Sequence, residues 1–144
     1  MKIVDEYLSK NFRLSEFLKT STGIDNTPTA KEIENLRLLC KYVLQPARDK
    51  LGLPITVTSG FRSKAVSKAV GGSSTSDHVN GKAADLVCKD NNKLFEIIRE
   101  MGVHDQLINE FNCSWIHVSY RHNANRKQVL KANKVNGKTV YTRL

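Results

Sequence analysis

The sequence predicts a single globular domain, residues 1–144, that mixes helices with short β-strands. Three observations carry that expectation. The chain has 144 residues, 40% of them hydrophobic, enough to bury about two-thirds of its unfolded surface in one core without staples. A capped amphipathic pattern begins at Thr29, whereas compact β-branched or apolar runs occupy 55–58 and 83–88. Two alternating runs, 106–111 and 115–120, are separated by only three residues, which is the spacing of an antiparallel pair.

The elements follow in order. Ser15 is placed to cap a short turn carrying Leu14, Phe17 and Leu18, and Gly23 to Pro28 reads as a loop. Thr29-Ala30-Lys31-Glu32 is a capping-box pattern, in which hydroxyl and carboxylate satisfy each other's free backbone donors. The helix it starts carries Ile33, Leu36, Cys40, Val43 and Leu44 at three- and four-residue spacing, and Pro46 signals its approaching end. Ile55-Thr56-Val57-Thr58, bounded by Pro54 and Ser59-Gly60, predicts a strand. Ser63 caps a brief helix that Gly71-Gly72 stops, a polar loop runs from Gly72 to Asn80, and Ala83 to Cys88 reads as a buried strand. A helix over about 92–101 turns Leu94, Phe95, Ile98 and Met101 inward and closes at Gly102. In the run from Trp115, period-two alternation sets Trp115, His117 and Ser119 on one face and Ile116, Val118 and Tyr120 on the other. Asn136-Gly137 between two β-prone segments predicts a terminal hairpin.

Charge is uneven. The formal net charge is +9, and residues 121–144 carry Arg121, Arg126, Lys127, Lys131, Lys134, Lys138 and Arg143 with no Asp or Glu. This basic extension suits an anionic cell-wall polymer or nucleic acid; its plain alternative is a solvated face that aids solubility. Cys40, Cys88 and Cys113 are odd in number with no C-x-x-C pair, so buried free thiols are expected. Cys113, four positions before His117, is a weaker metal candidate set against a small core residue. Met1-Lys2-Ile3-Val4-Asp5-Glu6 meets charge before any apolar run forms, and no stretch approaches membrane-spanning length. The expectation is cytoplasmic synthesis without a visible signal peptide.

The chemistry concentrates in two segments. Residues 76–85 hold His78 and Asp85, and Trp115-Ile116-His117 supplies a second imidazole. Two imidazoles and one carboxylate suffice to hold a catalytic zinc with one coordination position left for water. His104 and His122 have no motif around them and read as ordinary histidines.

Three blocks in consistent order, Ser59-Gly60-Phe61-Arg62-Ser63, then Ser76-x-His78-x-x-Gly81-x-Ala83-Ala84-Asp85, then Trp115-Ile116-His117-Val118-Ser119, resemble the M15 zinc peptidases, the D-alanyl-D-alanine carboxypeptidases and phage L-Ala-D-Glu endopeptidases. The likeness runs from about Leu14 to Tyr120. It implies an α+β fold of the hedgehog/DD-peptidase kind, a small antiparallel sheet backed by helices with a metal cleft on one face. It also implies Zn2+ held by His78, Asp85 and His117, a substrate carboxylate held by Arg62, and Ser76 lining the same cleft. Guanidinium–carboxylate pairing through two parallel hydrogen bonds agrees with that role for Arg62; the alternative is a local ion pair that pins its loop. Trp115 is expected as cleft wall and core at once, and Gly81 as a close backbone approach beside the metal.

The proton shuttle departs from the pattern. Many members carry an acid three positions before the final His, where this chain has Ser114. Glu110 is the candidate catalytic carboxylate, with Asp105 as fallback, and each has the alternative reading of a solvated acid. The implied function is a zinc metallopeptidase of D,D-carboxypeptidase or L,D-endopeptidase type acting on peptidoglycan stem peptides, with a phage or prophage endolysin released to the wall as the expected setting. The alternatives are a metal- or wall-binding module that has lost turnover, and a charge-driven nucleic-acid binder, for which no recognition motif is present. A non-haem Fe(II) site uses the same residue types, but its first His and acid come from nearly adjacent positions, unlike His78 and Asp85.

Overall fold

A computed structural model describes residues 4–144, so Met1–Ile3 of the N-terminal run lie outside the described residues. The architecture is α+β. A small hairpin, β1 (Tyr7–Ser9) and β2 (Phe12–Arg13), precedes a 3-10 turn over Leu14–Phe17. Ser15 does not cap that turn. Its hydroxyl and amide bond the Asp5 carboxylate, and the Arg13 amide donates to Glu16 Oε2 at 2.6 Å instead.

The capping box at Thr29 forms as the sequence predicts, with Glu32 Oε1 accepting from the Thr29 amide at 2.8 Å. It opens α1 (Ala30–Leu39), which passes through a π-turn at Cys40–Leu44 into α2 (Gln45–Leu51). Pro46 therefore does not end the helical stretch, which is a correction. The Gln45 amide bonds Cys40 O, five residues back. This widened turn shifts the carbonyls that a proline ring would otherwise strike, and Pro46 sits in the first turn of α2, where a missing N–H costs least.

The main sheet has six strands in the order β3-β4-β6-β5-β7-β8. They are β3 (Thr56–Ser59), β4 (Ala83–Val87), β5 (Gln106–Glu110), β6 (Trp115–Ser119), β7 (Gln128–Val135) and β8 (Lys138–Arg143). All neighbours pair antiparallel except β5 and β7, which run parallel. Two helices complete the chain: α3 (Lys64–Ala69), capped by the Ser63 hydroxyl, and α4 (Asn91–Met101), capped by Asp90 and closed at Gly102. None of the helices among the described residues is long and apolar enough to cross a membrane.

Register explains why the sheet has one core face and one chemical face. Leu86 pairs with Ile116 and Ala84 with Val118, and these fully buried residues join Leu107, Leu36, Leu44, Leu94 and Ile98 in the core beneath the helices. Because successive strand residues point to opposite faces, Asp85 and His117, themselves in register, turn to the other side. The same alternation that fills the core thus exposes a row of polar side chains on the front of the sheet.

Candidate metal centre and cleft

The front row begins with Asp85 of β4 and His117 of β6; His117 Nδ1 lies 3.1 Å from Asp85 Oδ1. His78 reaches the row from a 3-10 turn over Asp77–Asn80, which places its Nε2 3.4 Å from the same oxygen. Ligand atoms of the three residues all lie within 4.8 Å of one another, and the cluster has no fourth His, Cys, Asp or Glu among the described residues.

Local structure aims each ring. His78 Nδ1 donates to the Gly60 carbonyl at 2.7 Å, which orients the ring and turns Nε2 toward Asp85. Gly60 itself packs against Phe17, where a Cβ would stand 2.7 Å from the Phe17 Cα. The Ser76 hydroxyl accepts from the His78 amide at 3.2 Å. Ser76 therefore steadies the turn and is not among the residues lining the cleft, contrary to its expected place. Gly81 also departs from expectation: its positive φ of 70° ends the turn, and a Cβ there would meet the Glu32 carbonyl of α1 at 2.5 Å, not the metal site.

Burial opposes the charge on Asp85, but hydrogen bonds from His117 and His78 outweigh it and hold the carboxyl well below the usual carboxylate range. Arg62 adds a contact of 3.5 Å to Asp85 Oδ2, while its Nε donates to Ser59 Oγ at 3.0 Å. The ion pair that would pin the Arg62 loop thus exists, with a member of the His/Asp/His cluster as its partner.

The cluster closes one part of a cleft of about 290 Å³ lined by Arg62, Glu110, Phe111, Trp115, Thr139 and Tyr141 together with the three cluster residues. Glu110 is in register with Trp115 and nearly buried. Burial raises its carboxyl above the ordinary value; the His117 imidazole opposes that rise and the Asp85 charge adds to it. The fallback acid, Asp105, is elsewhere: it is fully buried and bonded by Arg126 Nη2 at 2.9 Å and by the Arg126 amide at 2.9 Å. Ser114, at the position where an acid was expected, caps the β5–β6 connection by donating to Phe111 O at 2.7 Å. Cys113 is buried in the core cluster and all three cysteines are free.

Sequence reasoning missed Phe111, Thr139 and Tyr141 as lining residues. Thr139 and Tyr141 are alternate residues of a hairpin legible at Asn136-Gly137, but the parallel seam between β5 and β7, which brings that hairpin to the cleft, has no local signal.

The donor set fits a zinc ion. Two imidazole nitrogens and a carboxylate oxygen, with the His78 ring held by the Gly60 carbonyl and Asp85 contacted by Arg62, suffice for a zinc ion and would leave one coordination position for solvent or substrate. Comparison with protein families gives a match to the family described as Peptidase M15 over residues 9–119, more than half of the chain. Comparison with curated proteins gives no match.

Proposed function

We propose, from the premise that this chain belongs to the Peptidase M15 family, that it is a zinc-dependent peptidase hydrolysing peptide bonds in peptidoglycan stem peptides. The observation that carries the reading is the convergence of His78, Asp85 and His117 at one wall of a cleft that also presents Glu110 and Arg62. His78 Nε2, an Asp85 oxygen and His117 Nδ1 would hold the ion. Bound zinc supplies Lewis acidity toward the scissile carbonyl and lowers the pKa of a water toward neutrality.

The chain's own groups supply the rest. Glu110 takes a proton from the attacking water and returns it to the leaving amine, and its burial brings the carboxyl closer to the pH at which both transfers are efficient. Arg62 lines the cleft with Nε anchored on Ser59 and Nη2 3.5 Å from Asp85 Oδ2, a contact long enough for a substrate carboxylate to compete with. Its planar fork matches a peptide carboxylate. Trp115, tilted against Phe111 with ring centroids 5.3 Å apart, gives the cleft an apolar floor on which a peptide backbone can lie. Whether the enzyme is of endolysin or carboxypeptidase type follows from which bond sits over the cluster when a carboxylate is at Arg62.

The test is incubation of the purified protein with peptidoglycan, with chelator and with added zinc, followed by mass analysis of released fragments. Cleavage that disappears with chelator and returns with zinc is expected, and the fragment masses identify the bond. Turnover indifferent to chelator would overturn the reading. A Glu110→Gln variant that keeps zinc but loses about a hundredfold or more in rate separates the enzyme from a wall-binding module that holds metal without turnover.

A further inference from the structure

The match to the peptidase family ends at residue 119, yet the cleft does not. Its lining includes Thr139 and Tyr141 of β8, the edge strand at the end of the sheet farthest from β3. We propose that β8 forms the substrate-binding wall across the cleft from Arg62, with Tyr141 as a residue that contacts the peptide and sets specificity. This inference rests on the peptidase reading and goes beyond it, since it assigns a subsite to the basic C-terminal hairpin.

Register carries the argument. Trp115 is paired with Glu110, Glu110 with Ala132, and Ala132 with Tyr141, so four side chains stand in one row on the front face across β6, β5, β7 and β8. Ala132, at the centre of the row, contributes only a methyl group and is fully buried. A larger side chain there would stand between Tyr141 and Glu110; alanine lets the phenol lie toward the carboxylate. Proximity of the two is also visible in the Tyr141 hydroxyl, whose ionisation is disfavoured by burial and by the Glu110 charge. Thr139, two residues before, faces the same way and lines the same cleft.

The arrangement suits a peptide ligand. Arg62 follows β3 at one end of the strand order and β8 lies at the other, so a chain crossing the cleft from a carboxylate at Arg62 passes the His/Asp/His cluster before it reaches Tyr141. There an aromatic ring and two hydroxyls offer apolar contact and hydrogen bonds to backbone amides. Tyr141 retains 55% of its exposure, which leaves its ring accessible to such a ligand. A cleft of about 290 Å³ is at the small end for binding sites, which favours small side chains next to the scissile bond.

The experiment uses the full chain loaded with zinc and two readouts. Trp115 is the chain's only tryptophan and lines the cleft, so its fluorescence reports binding of the dipeptides L-Ala-D-Glu and D-Ala-D-Ala without need of turnover. Turnover of peptidoglycan fragments gives KM and kcat separately. Tyr141→Ala is expected to weaken dipeptide binding and raise KM about tenfold, and Tyr141→Phe, which keeps the ring, about threefold. Val140→Ala, on the opposite face of the same strand, is expected to match the wild type in both. Equal binding and KM for the wild type, Tyr141→Ala, Tyr141→Phe and Thr139→Ala would overturn the proposal, as would a wild type whose fluorescence responds to neither dipeptide. Dipeptide binding that depends on Tyr141 in a protein without turnover would uphold the wall and overturn the peptidase reading. Circular dichroism checks the fold of each variant; if Tyr141→Ala is misfolded, Tyr141→Phe decides.

Discussion

Asp105 shows how one residue can resemble a catalytic acid in the sequence and serve stability in the fold. Its carboxylate is fully buried and accepts from the Arg126 amide, Nε and Nη2, with Arg121 Nε a further 3.4 Å away. Burial disfavours its charge, but the hydrogen bonds from Arg126 and the charges of Arg126 and Arg121 outweigh that cost, so its pKa is lowered. A folded-state pKa below the unfolded value means that the native state binds fewer protons, so the stabilisation is fully present above about pH 4 and is lost as pH falls through the folded pKa. Asp105→Asn is therefore expected to cost about 2 kcal/mol at pH 7, where several charge-assisted hydrogen bonds are lost, and progressively less below pH 4. Urea unfolding of both proteins between pH 7 and 3 checks this; a gap that stays constant through that range would contradict it. Its neighbour His104 adds a separate window. Burial lowers its pKa, so its contribution is present above about pH 6.5 and declines as pH falls below that in both proteins.

At the scale of elements, what was legible in the sequence was what local physics decides. The Thr29 box, the Ser63 cap, the Gly102 stop and the alternation of 115–120 all appear where the residues put them, because each depends on neighbours within a turn or a pleat. Asp85 and His117 stood out in the sequence through the patterned blocks that hold them, and in the fold both alternate with Ala84, Leu86, Ile116 and Val118, whose burial fixes the face of every residue between them. What could not be read locally depends on distant packing. Pro46 stays helical because of a π-turn, Ser76 turns to its own backbone, and β7 adds to β5 in parallel with no short-range signal. Gly81 belongs to this group. The turn that carries His78 docks on α1, where Asn35 Nδ2 donates to Asn80 O at 2.9 Å and Gly81 faces the Glu32 carbonyl. Gly81→Ala would combine a positive φ with a Cβ 2.5 Å from backbone that cannot swing aside. A loss of about 2–3 kcal/mol is expected, together with weaker zinc binding, since the turn must move and His78 moves with it. Chemical unfolding and a competitive zinc titration measure the two effects; a variant with wild-type stability and affinity would show that α1 does not hold the turn.

For the molecule as a whole, the metal reading has a consequence that needs no substrate. The candidate ligands come from two separated stretches of the chain, His78 and Asp85 from the 3-10 turn and β4 that follows it and His117 from β6, so an unfolded chain has no equivalent site. An ion that binds only the folded state stabilises it by an amount set by its concentration relative to Kd, about 2.7 kcal/mol at a hundredfold excess. For a chain of this size that is a rise in Tm of roughly 8 °C. The shift is expected to vanish in Asp85→Asn, His78→Ala and His117→Ala, because removal of any one donor leaves two. It is expected to survive in Glu110→Gln, whose carboxyl lines the cleft but is not in the cluster. It is also expected to survive replacement of Lys131 and Lys138 on the basic hairpin, which lies outside the cluster. Thermal unfolding across a zinc series for these variants separates the roles. A shift that persists in all three ligand variants, or one abolished by Glu110→Gln, would place the ion somewhere other than between His78, Asp85 and His117.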